Sequence, residues 1–197
     1  EVSEVNSKNN IYEIICNKGE KINASKIVIA AGVHLGKILK LLNININIKC
    51  FPQQLIVTER MPELMKTVVT VANGKLSLKQ FESGTVLIGG GWPGIGNIEN
   101  DYTETKPENL IGNMRLACHA IPNLKNSRVS RVWLGLEAET DDAMPVIGEL
   151  PNLKNAYVIG SIHSGYTSGP YLGLLLSEKI LGKETDLSLF DIKRLIH

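Results

Sequence analysis

Cysteine is scarce in this 197-residue sequence and forms no pattern. Cys16, Cys50 and Cys118 are odd in number, widely spaced and without a C-x-x-C pair, which argues against a disulfide framework and a zinc site. The simpler reading is a reducing compartment and a cytoplasmic location, with membrane association only through partners. Charge of one sign is also lacking. The 21 Lys and Arg stand against 20 Asp and Glu, a net charge of +1, so no basic field points to nucleic acid or acidic membranes. No run of like charge is long enough for an interaction tail. Long apolar runs are missing too: the best candidate, Leu172 to Leu181, is broken by Ser177, Glu178 and Lys179, so no transmembrane segment is expected. The sequence opens on Glu1 rather than Met and shows no signal-like segment, so the expectation is a processed product or fragment that starts late.

Familiar catalytic signatures are equally absent. There is no G-x-S-x-G elbow, no H-E-x-x-H and no P-loop. His34, His119, His163 and His197 lie far apart without ligand-like pairing, and no metal is expected. Asp141 and Asp142 are adjacent carboxylates, but Ala143, Met144 and Pro145 follow, and the pair reads as a turn rather than as acid and base.

What is present is the composition of a globular protein, 43% hydrophobic and 21% charged, with length for one domain or two small lobes. Ile11 to Cys16 reads as a strand, closed by a turn at Asn17, Lys18 and Gly19. The run Lys26 to Ala30 suits a strand buried on both faces. Gly32 breaks it, and His34 to Leu42 carries helical spacing. The alternation from Asn43 to Ile48 predicts a strand or strand edge. Gln54 to Thr58 predicts another, and Leu76 to Leu78 with Thr85 to Gly89 predict a hairpin. Pro107 to Ala120 predicts a helix, Val129 to Leu136 a strand, and Pro145 to Gly148 a short extended piece. Ala156 to Gly160 predicts a second buried strand, and Pro170 to Leu181 a helix ended by Gly182. Two strand-glycine-helix units thus flank a strand-rich middle, as if the chain leaves one sheet, builds a second and returns.

Gly89, Gly91 and Gly94 satisfy G-x-G-x-x-G literally. The dinucleotide fingerprint needs a helix immediately after it, facing the pyrophosphate. Here Gly96, Asn97, Glu99, Asn100 and Asp101 follow with no helical period, so the stretch reads as a loop after a hairpin strand.

Three segments together resemble the D-amino-acid-oxidase-like flavoprotein family, which includes glycine oxidase, sarcosine oxidases and the flavin subunit of hydrogen cyanide synthase. The first runs from Val2 through a turn at Gly19 to Ala30-Ala31-Gly32. The second is Trp133-Leu134-Gly135, then Thr140-Asp141-Asp142 and Pro145-Val146-Ile147-Gly148. The third is Tyr157 to Gly165, then Gly169-Pro170 and Gly173. Gln54 to Glu59 and Val86 to Gly90 are similar to the family's substrate-domain strands.

The resemblance implies an α/β fold: a partial FAD-binding, Rossmann-like lobe over 1–47 and 144–197, with an inserted, mostly antiparallel α+β substrate-binding lobe over 48–143. It implies FAD contacts at Val2, Ala30, Ala31, Gly32, Ser161, Ile162, His163, Ser164, Gly165, Tyr166 and Thr167. Small residues and backbone N–H groups at strand ends suit such contacts. The family's amino-terminal glycine fingerprint has no counterpart, so a missing amino-terminal segment or a partner subunit is expected to complete the lobe. The 197 residues alone are expected to bind FAD weakly or not at all.

Two departures from the pattern matter. Glu137 stands where glycine-oxidase-like members carry an Arg for the substrate carboxylate. Three readings stand: Arg131, Lys79 or Arg60 serves instead, the substrate is an amine without that carboxylate, or Glu137 turns away. Gly135 stands where some members attach flavin to Cys, which implies noncovalent FAD. His163 either polarises the flavin, orients the amine or is an ordinary loop histidine, so Glu137 and His163 are the substrate-binding candidates. The implied activity is oxidation of the C–N bond of a small amine or amino acid by hydride transfer to flavin. No general base is required, and no catalytic residue is named. The alternative is a non-catalytic fragment or subunit acting through protein contacts.

Overall fold

The computed structural model describes residues 1–72, 74–99 and 102–196; Asn73, Asn100, Asp101 and His197, one of the four histidines noted above, lie outside the described residues. The chain opens with strands β1 (Val2–Lys8), β2 (Ile11–Cys16), β3 (Lys21–Ala24) and β4 (Ile27–Ile29). A 3-10 turn at Gly32–His34 and helix α1 (Leu35–Lys40) follow. Then come β5 (Lys49–Thr58), β6 (Val69–Thr70), β7 (Ser77–Gln80), β8 (Val86–Gly89), β9 (Ile95–Asn97) and β10 (Tyr102–Glu104). Helix α2 (Pro107–Ala120) precedes β11 (Val129–Glu139), β12 (Val146–Glu149), β13 (Ala156–Gly160) and helix α3 (Gly165–Ile180). The fold is mixed α/β with several antiparallel sheets, in two compact units, Glu1–Cys50 with Glu137–His197, and Phe51–Leu136.

In the discontinuous unit, β13 lies between β12 and β4, antiparallel to the first and parallel to the second. Alternation along these strands explains their continuous apolar sequence. Val146, Ala156 and Val158 pack in one core with Leu35, Leu39, Tyr12 and Ile192, while their neighbours Ile147 and Tyr157 pack in another with Leu172 and Leu176 of α3. A side chain at Gly160 would meet Leu35 of α1 at 2.8 Å, so glycine permits the close helix-on-strand approach. β1, β2 and β3 form a separate antiparallel sheet, in which Asn9 and Asn10, both at positive φ, make the tight turn between β1 and β2. Buried Tyr12 donates to the Lys154 carbonyl at 2.6 Å, tying this sheet to the β12–β13 loop.

The contiguous unit holds a five-stranded sheet in the order β11-β5-β8-β7-β6. Its core joins Ile56, Leu76, Leu78, Val86 and Ile88 to Ala117 of α2 and to Leu124. The buried Asn113 amide donates to the Gly89 carbonyl at 3.0 Å. The glycine-rich stretch after β8 serves packing: a side chain at Gly90, where φ is +109°, would lie 2.6 Å from the Leu76 backbone, and one at Gly94 would clash with Leu134. Strand β9 follows rather than a helix, as the sequence reading requires.

Three expectations fail. The Lys26 to Ala30 run is buried on one face only: Ile27 and Ile29 lie in the core, while Val28 is 45% exposed on an edge strand. Asn43 to Ile48 forms no strand; its alternation buries Ile44 and Ile46 in the core, but the segment has no ladder, and β5 begins at Lys49. Helix α3 starts at Gly165, not Pro170, which lies inside it. Gly169, having no Cβ, relieves part of the clash that normally keeps the residue before proline out of a helix.

Candidate functional site

β4 and β13 run parallel, with Ala156 opposite Ile27 and Val158 opposite Ile29, so the chain leaves both strands at the same sheet edge. In open α/β sheets, ligands bind outside the carboxyl ends of the strands. Here those ends are Ala30-Ala31-Gly32 and Ser161 to Thr167. Ala31 sits in the bridge region at φ −93° and ψ 10°, and Gly32 at φ +55° starts the 3-10 turn, a conformation that favours glycine. Val2, Ala30 and Ala31 line one apolar cavity of about 480 Å³ with Val5, Ile14 and Ile38.

The segment after β13 is held unusually. Ser161, 4% exposed, has φ +50°, and Ser164, at φ +57°, caps α3 without a side-chain hydrogen bond. The Ser164 carbonyl accepts from Thr167 and Ser168 at 2.9 and 3.2 Å. The N–H groups of Gly165 and Tyr166 have no partner among the described residues. The Ser161 hydroxyl is buried and also unpartnered among them. A buried hydroxyl without a partner is costly. Together with the positive end of a 16-residue helix, it marks a place for a polar or anionic ligand group.

His163 lies between the two left-handed serines. Its Nδ1 is 2.9 Å from Glu137 Oε1 at the end of β11, with side-chain exposures of 61% and 28%. The two residues that the sequence singles out for the substrate are therefore neighbours. Arg60, Lys79 and Arg131, the alternative cations, belong to the contiguous unit, where Lys79 Nζ sits 5.0 Å from the centre of the Phe81 ring.

Asp141 and Asp142 form a turn and are engaged there. Asp141 accepts from Asn47 at 3.1 Å and pairs with Lys49 at 2.9 Å, which holds the Lys49 ammonium above its ordinary range. Arg194, close to the end of the chain, grips Asp142 at 2.6 and 3.3 Å and donates to the carbonyls of Met144, Pro145 and Asp191. Nothing in the sequence pointed to this arginine. The early start of α3 and the strain at Ser161 were also missed; Ser164-Gly165 is the only local signal for that start. Among the described residues no cluster of three His, Cys, Asp or Glu is placed to hold a metal ion, and no helix is long and apolar enough to cross a membrane.

Comparison with known proteins gives the family and the fold. The chain is 28% identical over 160 residues to hydrogen cyanide synthase subunit HcnC of Pseudomonas protegens, covering 80% of this chain and 37% of that protein. It is 24% identical over 184 residues to glycine oxidase of Geobacillus kaustophilus, covering 92% and 48%. Among solved structures, glycine oxidase from Geobacillus kaustophilus superposes with a TM-score of 0.86 at 21% identity, over 100% of this chain and 52% of that one. L-proline dehydrogenase from P. horikoshii gives 0.87 at 25% identity, over 98% and 53%. The chain thus spans between 37% and 53% of the length of these relatives. The model of the FAD dependent oxidoreductase family, DAO, matches residues 1–179, and with two parallel strands delivering small residues and an orphan hydroxyl to one edge, this chain belongs to that family.

Proposed function

We propose that this chain supplies part of an FAD-binding lobe and the inserted substrate lobe of an oxidoreductase that oxidises the C–N bond of an amino acid or amine. The lobes are the regions read from the sequence, 1–47 with 144–197, and 48–143. The observation that carries the reading is the buried Ser161 hydroxyl, unpartnered among the described residues, in the same segment as the Gly165 and Tyr166 N–H groups that open α3, following the carboxyl end of β13. These groups fit a cofactor with many hydrogen-bond acceptors. Ala30, Ala31 and Gly32 give close backbone approach at the neighbouring strand end, and Val2 lines the adjoining apolar cavity.

Noncovalent FAD, when bound, would accept hydride from the carbon beside the substrate nitrogen, and the resulting imine would hydrolyse. The residues from Ser161 to Thr167 would hold it, and the dipole of α3 would favour negative charge developing near its first turn. Glu137 and His163 would face the substrate.

A further segment or subunit completes the site on this reading. β4 is an edge strand of its sheet, and Val28 on it is 45% exposed. Such an edge is a template for another strand. The corresponding test incubates the purified chain with FAD, desalts it and records the visible spectrum, with and without a completing amino-terminal segment. Flavin retained only with the added segment is the expected result. Flavin retained by the 197 residues alone would overturn the need for completion. A colourless protein in both cases would overturn the cofactor reading.

A further inference from the structure

The ion pair between His163 and Glu137 does more than the oxidation reading requires. The imidazole is 61% exposed, yet its Nδ1 is spent on a carboxylate that is only 28% exposed. A carboxylate beside one ring nitrogen favours the proton on that nitrogen, which leaves the other as an acceptor. The segment carrying the ring is strained before and after it, since Ser161 and Ser164 hold left-handed conformations that side chains adopt only where the surroundings impose them. Nε2 makes no hydrogen bond among the described residues. A loop strained on both sides of an oriented, half-exposed imidazole, at the ligand-binding edge of a parallel pair, is the arrangement of a proton acceptor aimed at a ligand.

We propose that Glu137 and His163 take the ammonium group of the substrate, with Nε2 of His163 accepting its proton and Glu137 acting as the positioning residue. The inference rests on the amine-oxidation reading above. The step balances simply: the substrate N–H bond breaks, an Nε2–H bond forms, and the electron pair stays on the substrate nitrogen, with no redox change. Only the neutral amine can then release hydride from the neighbouring carbon. With the imidazole neutral, the pair carries the single negative charge of Glu137, so it attracts an ammonium ion and repels a carboxylate. Once His163 holds the proton, Glu137 stabilises the imidazolium, as an acidic partner does for a general-base histidine. The substrate class is a primary or secondary ammonium ion whose nitrogen, rather than an acidic group, is read at this point.

Two measurements test it. The first uses the flavin-free protein and long-range proton–nitrogen NMR of the His163 ring. The expected result is a neutral ring protonated on Nδ1, whose Nε2 signal moves with methylammonium but not with tetramethylammonium, which has no proton to give. In Glu137→Gln the preference for Nδ1 should fall. A ring protonated on Nε2, or equal shifts with both cations, overturns the proposal. The second uses the protein loaded with FAD in the presence of its completing amino-terminal segment. His163→Ala should lower kcat with an amine substrate by about a hundredfold, with partial recovery on adding imidazole, which a structural defect would not show. Undiminished turnover in both His163→Ala and His163→Gln overturns the proposal. Should the unaltered protein oxidise no amine at all, the oxidation reading fails, while the NMR result still decides whether the pair accepts an ammonium proton.

Discussion

Replacing Arg194 by Met should loosen the discontinuous unit by an amount that the geometry sets. Arg194 donates five hydrogen bonds: two to Asp142 at 2.6 and 3.3 Å, and one each to the carbonyls of Met144, Pro145 and Asp191 at 2.9, 2.9 and 3.0 Å. A charge-assisted hydrogen bond is worth ~1.5–3 kcal/mol where water is excluded, and an exposed ion pair contributes under about 1 kcal/mol. The two side chains are 22% and 39% exposed, so water replaces part of what is lost. The expected cost is about 2–3 kcal/mol, a fall in Tm of about 5–10 °C for a chain of this size. The pH dependence carries a second signature. Hydrogen bonds from Arg194 hold the Asp142 carboxyl well below the usual carboxylate range, against desolvation that pushes it up. The native state therefore binds fewer protons than the unfolded chain near pH 4. The stabilisation is fully present above the ordinary Asp value of about 3.9 and is lost as pH falls below it toward the folded value. Urea titrations followed by circular dichroism, at pH 7 and in steps down to pH 3, measure both effects. A variant within about 0.5 kcal/mol of the parent at pH 7, or an unchanged acid limb in Asp142→Asn, would refute the reasoning.

Two further substitutions probe the strand ends and the glycine loop. Ser161→Ala removes a buried hydroxyl that has no partner among the described residues, so thermal melts of the flavin-free protein should be unchanged or up to about 1 kcal/mol more stable. With the completing amino-terminal segment supplied, the same variant should retain less FAD after desalting than the parent; equal retention would detach Ser161 from the cofactor. Gly90→Ala forces a side chain 2.6 Å from the Leu76 backbone at φ +109°, and should cost more than about 3 kcal/mol or abolish soluble expression. Gly135→Ala, with nothing within 4 Å of the new atom, should melt within about 0.5 kcal/mol of the parent and serves as its control.

Much of the fold is legible in the sequence where local pattern and burial agree. The β13 run reads as a buried strand because it packs on both faces, whereas β4 buries Ile27 and Ile29 on one face and leaves Val28 exposed on the other; the spacing of α2 gives its limits, Pro107–Ala120. The failures have physical causes. The Asn43 to Ile48 alternation reports burial of every second side chain, and burial alone does not supply a neighbouring strand. Pro170 reads as a helix start because proline suits the first turn, whereas Gly169, with no Cβ, lets the helix run through from Gly165. The Asn9-Asn10 turn, which sets up the β1–β2 hairpin, went unread for want of a glycine. In the site, Ser161, Glu137 and His163 were visible as candidates one by one. The pairing of the last two, the strain at Ser161 and the Arg194 grip depend on residues brought together only by the tertiary structure.

The order of strands in the contiguous unit bears on how the chain reaches this structure at all. β4 must find β13 across more than a hundred residues, a pairing that would be slow to form by random closure. β5 and β11, however, carry the chain into and out of the intervening unit, and they are adjacent strands of one sheet. When that sheet forms, the strands that lead into and out of it lie side by side, and the remaining closure is shorter than one over a hundred free residues. In a pulse-labelled refolding experiment, amides of α2 and β8 should gain protection before those of β13, and weakening the β5–β11 pair should delay β13 more than it delays α2.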